Sequence, residues 1–422
     1  MAPSTLPALT QDDVPSLLFE IGQLFTPSTP IRLADLFAGR QGQIRQIIDA
    51  VAEPGRHVFV YGERGVGKTS LSQIIEHLVP SGRQRIVHSR KACTSEDSFE
   101  TVWRKFFRDM RFSFESEGNI TESAVSELYK DGISPDDVLR EMKQFSSNDI
   151  PIFVIDEFNE INDKGTTCRL LANTIKALSD DGVSATIVVV GVADSVTELF
   201  SDHGSVSRCT EEVLMPRMSN AELGEIIDKR LSDLGLAIDP DARSKIIILS
   251  RGLPTYVHRL GKHAASRSVR VLRRRIAESD VDASIEEILS GSLQSLRRAY
   301  ETATNSNQPG NLFKEILLAC ALARADDAGY FAPAAVREPL EKILGRPMTI
   351  AQYQNHLGDW HGPKRGRILQ RTGDARSYRF RFAEPTMQPY VLMKGVAAGM
   401  VNEEAKAILR FPAQPELFSN EP

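Results

Sequence analysis

The chain has 422 residues, of which 41% are hydrophobic and 25% charged, and it carries a formal net charge of −5. That is too long for one ordinary core and predicts two or three globular domains. The mild acidity excludes a global electrostatic pull on nucleic acid, so any basic site must be local. The four cysteines, Cys93, Cys168, Cys209 and Cys320, are dispersed and form no CxxC pair, and the eight histidines show no HExxH spacing. A disulfide framework or zinc site is therefore not expected. MAPSTLPALTQDD lacks the basic segment and apolar run of a signal peptide. Apolar stretches such as Ala185–Ala193 fall short of the ~20 residues of a membrane span. The expectation is a cytoplasmic protein with no membrane partner.

Residues 1–35 are rich in Pro, Ser and Thr around one apolar segment, Leu17–Phe25, and predict an N-terminal arm. From 36 to 216, apolar runs alternate with helical patterns. The runs are His57–Tyr61, Arg85–His88, Pro151–Ile155, Thr186–Val190 and Glu212–Met215. Between them, Ser70–Leu78, Phe99–Met110 and Arg169–Leu178 carry apolar residues at three- and four-residue spacing. Strands apolar on both faces, alternating with helices, predict an α/β domain with a parallel sheet covered on both sides. From 217 to 304 the strands stop and a helical domain follows. Ser219–Leu234 opens with a capping box, Ser219 and Glu222, and helices are expected at Asp241–Leu249, Thr255–Ser266 and about Ile285–Thr304. The residues NSNQPG, 305–310, have the turn chemistry of a linker. In the block 305–395, three helical patterns (Asn311–Arg324, Pro333–Leu344, Thr349–His361) lead into two strands, Arg367–Arg371 and Ser377–Phe382, joined by the turn Thr372–Arg376. That is the outline of a winged helix. Residues 396–422 look like a tail.

Gly62-Glu63-Arg64-Gly65-Val66-Gly67-Lys68-Thr69 fits GxxxxGK[ST], followed by Ser70. It directly follows an apolar strand pattern and opens an amphipathic helix, the context a phosphate-binding loop requires. The glycines let backbone N–H groups wrap phosphates, and the helix amino terminus adds a favourable dipole. Lys68 is expected to reach the β- and γ-phosphates of ATP, and the Thr69 hydroxyl to ligate Mg²⁺. The apolar run Ile152–Ile155 ends in Asp156 and Glu157, which puts both carboxylates at the ligand-facing end of a buried strand. Asp156 would hold Mg²⁺, directly or through water, and Glu157 would polarise the attacking water. The alternative is a strand that exits into an acidic loop.

The order Phe37-Ala-Gly39-Arg40, phosphate loop, Asp-Glu strand, apolar strand and helical module resembles AAA+ P-loop ATPases over about residues 36–300. The likeness is greatest to the branch of origin-recognition initiators and transposition-type ATPases, and it borders the STAND NTPases. The resemblance implies a parallel AAA+ sheet with a helical lid and a C-terminal winged helix. It implies that Gly39 and Arg40 lie near the adenine. It puts sensor 1 at Asp194 or Ser195, although Asp194 also suits a turn that caps the next helix. Arg208 stands where AAA+ proteins carry an arginine finger, which would reach a neighbouring subunit's γ-phosphate and require a homo-oligomer; a plain surface arginine is the alternative. Gly252-Leu253-Pro254 matches the GxP element of STAND lids, which brings Pro254 to the nucleotide. Thr255 occupies the position of the initiators' sensor 2 arginine, leaving Arg251 and Arg259 as candidates. Its loss implies slow or partner-stimulated hydrolysis.

Between His361 and Arg381, seven basic residues, Lys364, Arg365, Arg367, Arg371, Arg376, Arg379 and Arg381, stand against one acid, Asp374. Beside a recognition helix carrying Gln352, Gln354, Asn355 and His356, this suits double-stranded DNA, with Lys364, Arg365, Arg367 and Arg376 as phosphate contacts. The alternative is a STAND-like signalling or defence regulator whose winged helix binds a protein partner, with little or no turnover. A second cluster, Arg267, Arg270, Arg273, Arg274 and Arg275, either lines the same DNA path or solvates a helix.

Overall fold

The computed structural model describes residues 8–27, 39–80, 82–116, 119–201, 203–326, 328–374 and 377–401. The chain divides into a sheet unit, Pro30–Glu63 with Gly67–Pro216, and a helical unit, Met1–Thr29 with Arg64–Val66 and Arg217–Pro422. The first helix, α1 (Asp13–Leu24), belongs to the helical unit.

The sheet unit runs α2 (Gln41–Ala52), β1 (His57–Gly62), α3 (Lys68–Leu78), β2 (Arg85–Ala92), α4 (Phe99–Asp109), β3 (Arg111–Ser116), β4 (Asn119–Ala124), α5 (Pro135–Met142), β5 (Asp149–Asp156), α6 (Lys164–Asp180), β6 (Thr186–Val192), α7 (Val196–Leu199) and β7 (Thr210–Leu214). Five strands form one parallel sheet in the order β2-β5-β6-β1-β7. The parallel α/β sheet expected from the alternating runs is present, with the AAA+ strand order. One strand, β6, separates the strand that precedes the phosphate loop from the strand that ends in Asp156. Their ends are offset: Gly62 pairs with Val192 and Ile155 with Val189, so Asp156 stops two residues, about 7 Å, short of Gly62. The face of β5 is fixed by an aromatic cluster from α4. Phe153 meets Trp103 at 5.9 Å and Phe106 edge-on at 5.3 Å, and all three are buried. Such pairs contribute about 0.5–1.5 kcal/mol each beyond area burial.

Two features of this unit differ from the sequence expectation. The hairpin β3–β4 adds two strands that were not expected, although Phe112 and Phe114 alternate with polar residues along β3. β2 also continues four residues past His88 to Ala92. It is the sheet's edge, where polar and cationic residues are tolerated, so Ser-Arg-Lys-Ala does not end it.

The helical unit continues with α8 (Asn220–Asp233), β8 (Ala237–Ile238), α9 (Pro240–Ser250), α10 (Pro254–Arg270), β9 (Arg275–Ile276), α11 (Glu278–Ser290) and α12 (Gln294–Thr304). The single helix expected over about Ile285–Thr304 is two helices: α11 ends at its C-cap Gly291, and Leu293, at φ −54° and ψ 136°, turns the chain before α12. Then come α13 (Phe313–Leu322), α14 (Pro333–Leu344), α15 (Ile350–His361), the antiparallel pair β10 (Leu369–Thr372) and β11 (Arg379–Phe382), and α16 (Met387–Ala397). Phe331, between α13 and α14, bridges to Phe380 as a short third strand. Trp360 on α15 donates its indole N–H to the Ala303 carbonyl of α12.

α1 is held to this unit by buried groups. Phe25 is fully buried against Gly261 of α10, where a Cβ would come within 2.5 Å of its ring. Arg230, 0% exposed, donates to the Leu24 carbonyl, and the Thr26 N–H donates to His258 Nδ1.

His258 and, in the sheet unit, His57 are both neutral acceptors at Nδ1; His57 accepts from the Ile187 N–H. Burial pushes His57 down to about 4. Burial, aided by the Arg230 charge, pushes His258 down to about 3. The unfolded chain takes up these protons near pH 6.5 and the folded chain does not. Stability is therefore lost as pH falls from about 6.5 toward those values, by roughly 2 kcal/mol per histidine between pH 7 and pH 5. Denaturant melts at pH 7 and pH 5 should show that loss, and His258→Gln should reduce it. An equal loss in the variant would remove His258 from the account.

Candidate functional site

The turn from β1 into α3 is built on left-handed glycines. Gly62 has φ 145°, Gly65 φ 86° and Gly67 φ 100°. At Gly62 a Cβ would lie 2.3 Å from the Met215 carbonyl oxygen, so the strand can exit only as glycine. A Cβ on Gly67 would meet no atom within 4 Å, so space is open at the loop where it turns into the helix. Val66 is buried, Glu63 and Gly65 are half-buried, and Arg64 is exposed. Lys68 opens α3 and is 8% exposed, with its Nζ donating to the Gly62 and Glu63 carbonyls at 2.8 and 2.6 Å. The amine is thus held over its own loop. Thr69 and Ser70 follow in the first turn, both half-buried.

Asp156, 1% exposed, ends β5. Its Oδ1 accepts the Glu157 N–H at 2.8 Å. Its Oδ2 accepts two donors of Arg90, Nη2 at 2.6 Å and Nε at 3.0 Å. Ser72, one turn beyond Thr69, lies 3.4 Å from the same oxygen, accepts from Arg90 Nε at 3.2 Å and donates to the Thr69 carbonyl at 2.9 Å. Glu157 leaves the strand in the left-handed region, φ 55°, with its side chain exposed. Non-glycine residues rarely adopt that backbone, and such strain concentrates at functional sites. Asn159 locks the neighbouring strand end by accepting the Val192 N–H at 2.7 Å. Lys68, Thr69, Asp156 and Glu157 therefore share the carboxyl edge of the sheet, where ligands of open α/β folds bind.

The remaining sequence candidates lie as follows. Arg40, 3% exposed, donates to the Pro216 carbonyl at 2.5 Å and adjoins Gly39 ahead of α2. Asp194 is exposed beyond β6, with its N–H donating to Glu198. Ser195, not Asp194, caps α7 by accepting from the Glu198 N–H. Arg208 precedes β7, whose start pairs with His57, so it sits at the opposite edge from the phosphate loop. Five residues of strand separate the two levels, about 17 Å. It pairs with Asp180 at 2.5 Å on the surface. Pro254 is the first residue of α10, where a missing N–H is harmless. Arg251 is half-buried and is pushed down to about 10 by desolvation and the nearby Arg217, and it donates to the Ala323 carbonyl. Arg259 lies over Tyr256.

In the C-terminal block, Lys364 and Arg367 are exposed, and Arg367 has φ 50°. Arg365 instead stacks over Phe313 at 3.8 Å and donates to the Asn305 carbonyl. Arg371 lies over Tyr378, Arg381 over Tyr330, and Arg379 pairs with Asp326. Arg376 lies outside the described residues. On α15, Gln354 and Asn355 are exposed, whereas Gln352 caps the helix and His356 packs on Phe313. In the second basic cluster, Arg273 pairs with Asp280 and Arg275 with Asp239.

Sequence reasoning missed Arg90, Ser72 and Asn159. A serine four residues after the lysine could have flagged Ser72. Arg90 was hidden by the polar edge strand.

The residues fit a Mg²⁺-bound nucleotide. The loop is open at Gly67, the helix amino terminus is present, and one hydroxyl and one buried carboxylate stand by. Among the described residues no cluster of three acidic, histidine or cysteine side chains could hold a metal ion by itself. Among the described residues no helix is long and apolar enough to cross a membrane.

No curated protein is matched. Among solved structures, the chain is similar to the Aeropyrum pernix Orc1 protein in complex with DNA, at 15% identity and a TM-score of 0.46, covering 90% of this chain and 97% of that one. It is similar to the Aeropyrum pernix ORC2 protein in ADPNP–ADP complexes, at 14% and 0.48, covering 90% and 98%. It is also similar to the Thermotoga maritima RuvB Holliday junction branch migration motor, at 18% and 0.44, covering 84% and 96%. Residues 31–255 match the family described as Novel STAND NTPase 1. With that match over more than half its length and a phosphate loop at the edge of an AAA+-type sheet, the chain belongs to the Novel STAND NTPase 1 family.

Proposed function

We propose that this chain is an ATP-binding and slowly hydrolysing switch that oligomerises and engages duplex DNA through a C-terminal winged helix. The observation that carries the nucleotide reading is the convergence of Lys68, Thr69, Asp156 and Glu157 on one sheet edge. Lys68 would leave its loop carbonyls for the β- and γ-phosphates. Glu63 to Ser70 would present N–H groups to the phosphate chain, and Gly39 and Arg40 would lie near the base. Thr69 and Asp156 would hold Mg²⁺, which supplies charge neutralisation at the phosphates. Glu157 would orient the attacking water and take its proton. Asp194 would sense the γ-phosphate. Arg208, at the amino edge of its own sheet, would reach only a neighbouring copy's γ-phosphate, and this reading therefore includes a homo-oligomer.

The DNA reading rests on exposed Gln354 and Asn355 beside exposed Lys364 and Arg367, with Arg365 stiffened by its ring contact and Arg376 adding charge. Charge reversal at two phosphate contacts, Lys364→Glu with Arg367→Glu in the full chain, should weaken duplex binding at least about tenfold at low salt. It should also flatten the dependence of log K on log salt by about 2. Fluorescence anisotropy across a salt series reads both, and an unchanged affinity in the double variant sinks this mode.

One observation favours a second reading. Arg365, Arg371, Arg379 and Arg381 are engaged with protein groups, which leaves less charge for phosphates. A winged helix that binds a protein partner, in a STAND-type signalling or defence regulator, fits that arrangement. Absence of duplex binding by the wild type at low salt would favour it.

A further inference from the structure

Arg90 stands at the carboxylate that the proposed function assigns to Mg²⁺, and no motif accounts for it. It belongs to the edge strand β2, where Ala92 is the register partner of Asp156. Side chains two apart on a strand share a face, so Arg90 lies on the side of Ala92 and its long stem reaches forward to the strand end. The Arg90 side chain is 23% exposed and that of Asp156 is 2% exposed. Both Arg90 donors fall on Oδ2, while the Glu157 N–H takes Oδ1. Each carboxylate oxygen is therefore already hydrogen-bonded within the protein. The contact with Ser72 and the Ser72 bond to Thr69 tie the guanidinium to the first turn of α3 as well. Charge-assisted contacts of this kind are strong, and stronger away from water.

We infer that Arg90 is a resident cation that competes with Mg²⁺ for Asp156 and so lowers the affinity of the nucleotide site for the metal. The inference rests on the nucleotide reading above. A buried carboxylate cannot be left unpaired without cost. Arg90 meets that need when no metal is bound, and it clamps Ser72 and Thr69 to the end of β5. Mg²⁺ held by Asp156, directly or through water, would place two more positive charges close to the guanidinium. The Asp156 lone pairs must then be shared, or Arg90 must swing toward the solvent it already touches. The Mg²⁺ concentration needed to load the site is thereby raised, and loading is coupled to movement of the edge strand's side chain. Arg90 is a positioning residue here, acting through Asp156.

The test is calorimetric titration of ADP into the full chain over a series of Mg²⁺ concentrations, for wild type, Arg90→Met and Arg90→Lys, with Lys68→Ala as the binding control. Removing the competing charge should lower the Mg²⁺ midpoint for tight ADP binding by at least about tenfold in Arg90→Met, the scale set by a close like charge at a partly buried site. Arg90→Lys keeps the charge but loses the forked donors, so it should shift the midpoint the same way by a smaller factor. It also keeps the test usable if the methionine variant unfolds. A midpoint unmoved or raised in either folded variant overturns the inference, a raised one meaning that Arg90 helps Asp156 to ligate. If wild type binds ADP no better than Lys68→Ala at any Mg²⁺ concentration, the nucleotide reading itself has failed, and the inference with it.

Discussion

Lys68→Ala should weaken ATP and ADP binding by at least about a hundredfold. Lys68 sits at the amino terminus of α3 with its amine over the phosphate loop, 2.8 and 2.6 Å from the two carbonyls that precede the turn. Those carbonyls are weak competitors for a cation beside a polyphosphate. Moving the amine from neutral carbonyls to charged oxygens should gain about 1.5–3 kcal/mol per hydrogen bond, which is one to two powers of ten each. Alanine removes the charge and leaves the loop glycines, which set its shape, untouched. The cost to the fold should be small, about 1 kcal/mol, because the Gly62 and Glu63 carbonyls lose one donor at a loop that opens to water. Calorimetry reads the binding and a thermal melt reads the fold. Nucleotide affinity within threefold of wild type in a folded variant would show that the loop does not cradle phosphates.

Glu157→Gln should lower ATP turnover by about 10²–10³-fold while leaving nucleotide affinity within about twofold, because a lost general base affects the chemical step rather than binding. The exposed carboxylate leaves β5 in the left-handed region directly after Asp156, and the Glu157 N–H bond to Asp156 Oδ1 holds that backbone. Glutamine keeps the length and the backbone bond and loses only the ability to accept a proton. Phosphate release under single-turnover conditions measures the chemical step directly. A loss below threefold would move the base elsewhere, with Asp194 the next residue to change.

What the sequence made legible follows from how local each signal is. The glycine turn that opens α3 could be read outright, since a phosphate-binding loop would need glycine at fixed spacing, and Gly62 and Gly67 occupy backbone that other residues rarely adopt. The strand Ile152–Ile155 and its two acids were visible because a buried parallel strand is apolar on both faces. Arg90 was not visible. An edge strand need not be apolar, so Ser89-Arg90-Lys91 carried no strand pattern, and its pairing with Asp156 depends on the strand order, which joins residues 66 apart in the chain. The break at Gly291 was hidden because apolar spacing continues across it. The basic hairpin was legible as charge, but the sequence could not show that Arg365, Arg371 and Arg381 would turn their guanidinium groups onto rings of the same block. Composition counts charges and does not say where each one points.

The most direct test of the central claim is phosphate release from ATP by the full chain, with and without duplex DNA, beside Lys68→Ala. The account predicts a slow rate that vanishes in Lys68→Ala and rises when DNA is added. Phosphate release that is the same in wild type and Lys68→Ala at every DNA concentration would contradict it.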